Sequence, residues 1–248
     1  MSNRPIAVVT GASSGIGAAT AEALAGAGYH VWCVARRQSR IDALAERIHG
    51  TAFVCDVSCP ASIADLANAL PDQIALLVNN AGGALGLDTI EDASDSDWIT
   101  MFETNVLGLM RVTKALLPKL KAAPSSHIVN MTSIAGRETY AKGGGYTTAK
   151  HGAKVITQTL RAELNGLPIR VTDIAPGLVE TEFSVVRFSG DTERAARVYD
   201  GLTPLTAADV AEAVRWAVML PKHVNIDEIV LKPIAQASAS MVARGAGL

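Results

Sequence analysis

The stretch Ile6-Ala7-Val8-Val9-Thr10-Gly11-Ala12-Ser13-Ser14-Gly15-Ile16-Gly17-Ala18-Ala19-Thr20 decides the fold class. A β-branched apolar run ends in a glycine-rich turn, and the turn opens directly into an Ala-rich helical stretch. Gly11 permits the tight turn, Gly15 lets backbone approach a pyrophosphate, and Gly17 lets helix and strand pack closely. The helix N-terminus then offers unpaired N–H groups and a positive dipole end to phosphates. Gly11, Ser13, Ser14, Gly15, Ile16 and Gly17 are therefore candidate cofactor-binding residues. A purely structural turn is the competing reading, and the placement between a first strand and a first helix favours the cofactor.

Outward from this segment the same alternation continues. Ile6–Thr10, Tyr29–Ala35, Ala52–Cys55, Ile74–Asn79, His127–Thr132, Ile169–Ile174 and Glu228–Leu231 read as strands. Several are apolar on successive residues, as expected when both faces of a parallel sheet are covered. Helical periodicity fills residues 15–28, 38–49, 60–69, 97–122, 145–165 and 206–220. The rhythm predicts an α/β chain, one Rossmann-type domain over residues 1–248. It would hold a doubly wound parallel sheet of about seven strands with helices on both faces. Residues 181–205 lack a strand and are expected to form a small helical flap. The small-residue tail after Lys232 is expected to be mobile.

Composition narrows the function classes. Of 248 residues, 49% are apolar and 19% charged, and Lys plus Arg against Asp plus Glu (22 against 24) leaves a net charge of −2. That is globular composition without a basic footprint, so neither nucleic acid nor an anionic membrane surface is an expected partner. Three scattered cysteines, Cys33, Cys55 and Cys59, suit reduced buried thiols rather than a disulfide framework. No His pair completes a zinc set, so no metal is expected. No apolar run reaches the roughly 18 residues of a membrane span, and no secretory leader precedes the first strand. A soluble, cytoplasmic protein is expected.

Four further places carry chemistry. The second strand ends in Ala35-Arg36-Arg37, where an NAD enzyme would present an acid to the ribose 2′-OH. Two guanidiniums there can clamp a 2′-phosphate instead, which points to NADP(H); a solvated basic turn is the bland alternative. Tyr146-Thr147-Thr148-Ala149-Lys150 puts a phenol and an ammonium on one helix face. A phenol near pKa 10 is a poor base, and two close cations, the ammonium and an oxidised nicotinamide, would favour phenolate. Ser133 ends the fifth strand, where ligands of such sheets bind, and its hydroxyl can donate to a carbonyl oxygen as charge develops. Asn105 lies inside an otherwise apolar helix, where it is either a satisfied core amide or a functional group.

Together these motifs resemble the short-chain dehydrogenase/reductase superfamily in its simple form. The resemblance implies that Asn105, Ser133, Tyr146 and Lys150 form the catalytic tetrad, with Tyr146 as acid/base and Asn105 holding a water of the proton relay. It also implies that Asp56 and Val57 contact the adenine. Asn79, Ala81 and Gly82 match the Asn-Asn-Ala-Gly signature, although Asn79 is equally readable as a strand-to-strand tie. Pro176, Gly177, Val179 and Thr181 match the segment that touches the nicotinamide, and Lys150 would hold the ribose. A homotetramer is the usual assembly, built on helices like those at 106–120 and 151–164, although core packing explains their apolar stripes equally well.

Residues 165–236 resemble the NADP-dependent 3-hydroxy acid (serine-type) dehydrogenases, and sulfoacetaldehyde reductases look similar. That resemblance implies a short 3-hydroxy acid or semialdehyde as substrate, bound against Ser133 and Tyr146. A small anion needs a cation near the hydride acceptor, and Arg187 in the flap is the first candidate, ahead of Arg137 and Lys142. Gly136–Lys142 replaces the Trp-Pro-Tyr-type wall of these relatives, and Gly143-Gly144-Gly145 reads as a flexible loop. A broad ketone reductase, a 3-oxoacyl-carrier-protein reductase and a nucleotide-sensing binding module without catalysis are the alternatives.

Overall fold

Successive apolar residues along the strands leave no solvent face, and the chain accordingly buries a parallel sheet between two helical layers. The computed structural model describes residues 4–245. The strands are β1 Ile6–Thr10, β2 His30–Ala35, β3 Thr51–Val54, β4 Leu76–Asn79, β5 Ser126–Met131, β6 Ile169–Pro176 and β7 Glu228–Leu231. They pair in the order β3-β2-β1-β4-β5-β6-β7, parallel throughout. Alternation within β1 divides the core: Ala7 and Val9 pack under α1 (Gly15–Gly26), α2 (Gln38–Ile48) and α9 (Ala207–Met219), while Val8 packs under the opposite layer. That layer holds α3 (Pro60–Ala69), α5 (Leu109–Ala122) and α6 (Gly144–Glu163). Val112, Leu116, Leu120 and Leu160 lie in its core, so the apolar stripes of α5 and α6 pack on the sheet. Because chain order reverses direction between β1 and β4, a crevice opens at their carboxyl ends.

Four expectations change. The helix expected over 97–122 is α4 (Asp95–Phe102), a π-helical turn (Glu103–Gly108) and then α5. The π turn contains Asn105, and such turns inside helices frequently mark functional sites. The glycine run is not a flexible loop, because Gly144 and Gly145 form the first turn of α6. A Cβ at Gly143 would enter the Tyr140 ring, and one at Gly144 or Gly145 would press on Trp98 or Met101. Residues 233–245 of the tail are anchored, while 246–248 lie outside the described residues: Ala235 and Gln236 are buried, and the Ala239 N–H donates to the Glu138 carboxylate at 2.7 Å. Of the three free thiols, Cys59 is exposed rather than buried. The flap does form, as α7 (Phe183–Arg187) and α8 (Thr192–Arg197), capped by the Asp191 side chain at the Arg194 N–H.

Candidate active site

The crevice is a cleft of about 520 Å³ roofed by the flap. At its floor Gly11 and Gly15 adopt φ of +67° and +52°, which side chains disfavour. A Cβ at Gly17 would run into the Gly11 carbonyl oxygen. Ser14 precedes α1 in extended conformation and gives no side-chain cap, so the first-turn N–H groups remain available at the cleft. Ser13, Ser14, Gly15 and Ile16 all line it. Thr10 and Asn80 brace this loop. The Asn80 and Ala81 N–H groups donate to Thr10 Oγ1 at 3.0 Å each, and Asn80 Nδ2 donates to the Thr10 and Gly11 carbonyls at 3.0 and 3.3 Å.

Asn79 is turned away from the cleft. Its Nδ2 donates to Thr113 Oγ1 and Asn130 Oδ1, both at 2.9 Å, tying β4 to α5 and β5. Its place at the cleft is taken by Asn80, beside Ala81 and Gly82. Strand alternation explains the difference, since consecutive residues face opposite sides.

At the β2 end, Arg36 and Arg37 both line the cleft, as do Asp56 and Val57. Arg36 is well exposed, with Nη1 3.9 Å from the Asp56 carboxylate. Arg37 is fixed: Nη2 donates to Ser13 Oγ at 2.8 Å and Ser14 Oγ at 2.6 Å, while Nη1 pairs with Glu182 at 2.9 Å. Arg40 pairs with the other Glu182 oxygen at 2.6 Å. The bonds from Arg37 and Arg40 hold the Glu182 carboxyl down at about 2. Arg37 and Glu182 thus join the flap to the glycine-rich loop, a link between positions 145 residues apart that local sequence gives no means to see.

The catalytic candidates meet at the ends of β5 and α6. Ser133, Tyr146 and Lys150 line one wall. Ser133 Oγ accepts the Ala135 N–H at 3.1 Å, and its hydroxyl acts to lower the Tyr146 pKa. Burial nevertheless dominates among the protein's own groups, with Tyr140 adding to it, and raises the Tyr146 phenol above its ordinary value. Lys150 Nζ donates to the Met131 carbonyl at 3.0 Å. Burial brings Lys150 down to about 8, with Asp173 opposing the drop. Asn105 Nδ2 donates to the Gly83 and Met101 carbonyls at 2.9 and 2.8 Å, and Gly82 lies between Asn105 and Lys150.

The three candidate cations separate clearly. Arg187 lies over both tyrosine rings, 5.7 Å from the Tyr140 centroid and 5.8 Å from that of Tyr146. Its Nε donates to the Gly86 carbonyl at 2.9 Å and Nη1 to the Tyr140 hydroxyl at 3.2 Å, with no carboxylate partner among the described residues. Lys142 is exposed at the rim of a small side cavity shared with Arg187 and Tyr146. Arg137 is instead consumed in ion pairs with Asp173 and Glu228 and does not line the cleft. Phe183 closes edge-on against Tyr146, with centroids 5.4 Å apart.

Pro176, Gly177, Val179 and Thr181 also line the cleft, and the Ser133 hydroxyl donates to the Pro176 carbonyl at 3.4 Å. The tail supports this segment: Gln236 Oε1 accepts the Leu178 N–H at 2.8 Å, and a Cβ at Gly177 would collide with that oxygen. Gln236 was not among the expected site residues, although it ends the stretch 165–236 that resembles the 3-hydroxy acid dehydrogenases, because no local pattern shows that its side chain reaches the Leu178 N–H.

Comparison with known proteins gives the family. A family model for the short chain dehydrogenases matches residues 5–191. An uncharacterised oxidoreductase of Mycobacterium tuberculosis is 56% identical over 235 residues, covering 95% of this chain and 93% of that protein. The NADP-dependent 3-hydroxy acid dehydrogenase of Salmonella typhi is 41% identical over 242 residues, covering 95% and 98%. Among solved structures, a closed form of serine dehydrogenase complexed with NADP+ superposes with a TM-score of 0.92 at 39% identity, covering 96% of this chain and 99% of that one. With a sheet, a glycine cradle and a matched segment that all begin at the same strand, the chain belongs to the short chain dehydrogenase family.

Proposed function

We propose that the protein is an NADP-dependent oxidoreductase that interconverts a secondary alcohol and its carbonyl, with a short 3-hydroxy acid or semialdehyde as preferred substrate. The observation that carries this reading is the meeting of Ser133, Tyr146, Lys150 and an Arg187 without a carboxylate partner on one cleft. The glycine cradle fits a dinucleotide, because added Cβ atoms would fill it and the α1 N–H groups face it. Ser13, Ser14, Arg36 and Arg37 would hold a 2′-phosphorylated ribose, Asp56 and Val57 the adenine, Ala81 and Gly82 the backbone side of the cofactor, and Pro176, Gly177, Val179 and Thr181 the nicotinamide. NADP(H), when bound, supplies or accepts the hydride.

The chain's own groups do the rest. Arg187 holds a carboxylate or sulfonate by charge-assisted hydrogen bonds. Ser133 donates to the substrate oxygen, and Tyr146 gives or takes the proton at that oxygen. Lys150 supplies the positive charge that favours phenolate, and Asn105 serves the proton path from Lys150 outward. Phe183 and Tyr140 exclude water from the reacting side.

The same reading covers a single domain over residues 1–248 and a cytoplasmic homotetramer. Three free thiols fit a reducing compartment. Ile99, Phe102 and Val155 are exposed on α4–α6, and Trp216, Met219 and Val230 on α9–β7, giving the two apolar faces that a dimer of dimers uses. Among the described residues no helix is long and apolar enough to cross a membrane. NADPH oxidation across 3-oxo acids, semialdehydes, sulfoacetaldehyde and neutral ketones tests the substrate class. Acidic carbonyl compounds are expected to react fastest, and equal or faster turnover of neutral ketones would reject the anionic substrate.

A further inference from the structure

We propose that Arg137 and Asp173 are positioning residues of the catalytic centre, a buried ion pair that holds the backbone of Ser133 and sets the field around Lys150. The inference rests on the Tyr146–Lys150 chemistry proposed above.

Arg137 stands just after the 3-10 turn Ile134–Gly136, the turn that Ser133 caps. Its guanidinium uses every edge. Nη1 donates to the Ser133 carbonyl at 2.9 Å and Thr132 Oγ1 at 3.2 Å, Nη2 to Asp173 at 2.8 Å, and Nε to Glu228 at 2.5 Å. Asp173 is 2% exposed, and its second oxygen accepts the Thr132 hydroxyl. The segment just after β5, the middle of β6 and the start of β7 are thereby fastened together next to Ser133. A planar, rigid fork suits this task, whereas a lysine would serve one partner at a time. A buried ion pair is a poor device for stability alone, because apolar residues of equal volume often do as well.

Asp173 accepts the Thr132 hydroxyl, and Lys150 Nζ donates to the carbonyl of the adjacent Met131 at 3.0 Å. The Asp173 charge is the one that opposes the desolvation of Lys150. Of the other charged groups on elements packed against α6, Arg187 of α7 lies over the Tyr146 ring and Asp97 of α4 lines the side cavity beside it, and neither is hydrogen-bonded to Lys150. Glu103 of the π turn pairs with Arg111 at 2.7 Å, Arg170 of β6 donates to carbonyls at the end of α9, and Asp95 stands with Asp97 in the first turn of α4. On α6 itself His151 bonds the Thr147 carbonyl, and Lys154 and Arg161 act on Glu228 at the sheet edge. Asp173 is therefore paired with Arg137 while its charge also acts on Lys150, so the state of one cation affects the other.

This arrangement predicts opposite effects from its two halves. Without the Asp173 charge, Lys150 loses its proton at lower pH, so phenolate formation at Tyr146 needs higher pH. Without the Arg137 charge, Asp173 acts on Lys150 unopposed and the ammonium persists to higher pH. The experiment is the pH dependence of kcat for NADP+-dependent oxidation of a 3-hydroxy acid by the full-length enzyme. Asp173→Asn is expected to move the acid limb up by about one pH unit, and Arg137→Met to move it down. Arg137→Lys keeps the charge but not the fork. It should leave the limb in place while kcat falls about tenfold, with little change in KM for the cofactor. Limbs unmoved, or moved the same way in Asp173→Asn and Arg137→Met, would overturn the proposal. If Asp173→Asn does not fold, Glu228→Gln at the half-exposed sheet edge replaces it. That change leaves Arg137 with a single carboxylate and should move the limb up by a smaller step; an unmoved limb overturns the proposal. Wild-type turnover that survives Tyr146→Phe would instead reject the underlying reaction, so the two failures are distinct.

Discussion

Lys150 Nζ lies 5.8 Å from the centre of the Tyr146 ring, one helical turn along the same face of α6. The lysine donates to the Met131 carbonyl, so its influence on the phenol is that of a charge across a short gap. Burial brings Lys150 down to about 8, so the ammonium is present below that pH and lost above it. Tyr146→Phe and Lys150→Met should each lower kcat by roughly 10²–10⁴-fold, the usual contribution of a positioned acid or base. NADPH binding, followed by fluorescence titration, should survive in Tyr146→Phe. Normal turnover in that variant would remove Tyr146 from the chemistry.

Arg187 projects its guanidinium over Tyr140 and Tyr146 without a carboxylate partner among the described residues. Arg187→Ala should reduce kcat/KM for acidic substrates by roughly 10- to 100-fold, since a hydrogen bond to a charged group is worth about 1.5–3 kcal/mol. Neutral alcohols should change about twofold or less on the same argument. Equal losses for both classes would mean that Arg187 only braces the Gly86 loop.

Arg37 is held by Ser13, Ser14 and Glu182, whereas Arg36 is free to move at the surface. Replacing both by Ala should raise KM for NADPH by about tenfold or more and for NADH far less, because only the former carries the 2′-phosphate. Steady-state kinetics with both cofactors at low and high salt measures this. Equal effects on the two would contradict the clamp.

His127 gives a stability prediction independent of catalysis. The Thr172 hydroxyl donates to the Ile226 carbonyl at 2.7 Å and so accepts from His127 Nε2, also at 2.7 Å. Nδ1 is buried without a partner, and burial followed by the field of Arg170 holds His127 down at about 3 from 6.5. As pH falls through that window the unfolded chain takes up the proton first, so stability is lost on the way down. Between pH 7 and 5 the loss from this residue is about 2 kcal/mol. His127→Gln, which keeps a donor toward Thr172, should show a smaller fall in Tm over that range by about 4–8 °C. Parallel Tm curves would contradict it.

How much of this was legible from residues alone depends on whether the deciding interaction is local. The seven strands, the cradle at Gly11–Gly17 and the Tyr146–Lys150 spacing are short-range patterns of period and turn chemistry, and the structure places them within a few residues of the expected bounds. The π turn at Glu103–Gly108 was not legible, because it depends on Asn105 bonding the distant Gly83 carbonyl. Asn79 and Asn80 are neighbours in sequence, and only strand alternation and the partner strand decide which faces the cleft.

Sequence by itself determined the class of sheet, the glycine-rich turn before α1 and the shared helix face of Tyr146 and Lys150, because each is written in residues within a turn or two of one another. Tertiary structure alone decided what the cations are for. Arg36, Arg37, Arg137, Lys142 and Arg187 are equivalent charges in a composition count. Packing hands Arg137 to Asp173 and Glu228, anchors Arg37 to the flap through Glu182, leaves Lys142 at the rim, and sets Arg187 over Tyr146. The physical reason is that a charge acquires its role from the carboxylates and apolar surfaces within a few ångströms, and chain separations of up to 145 residues bring those together here.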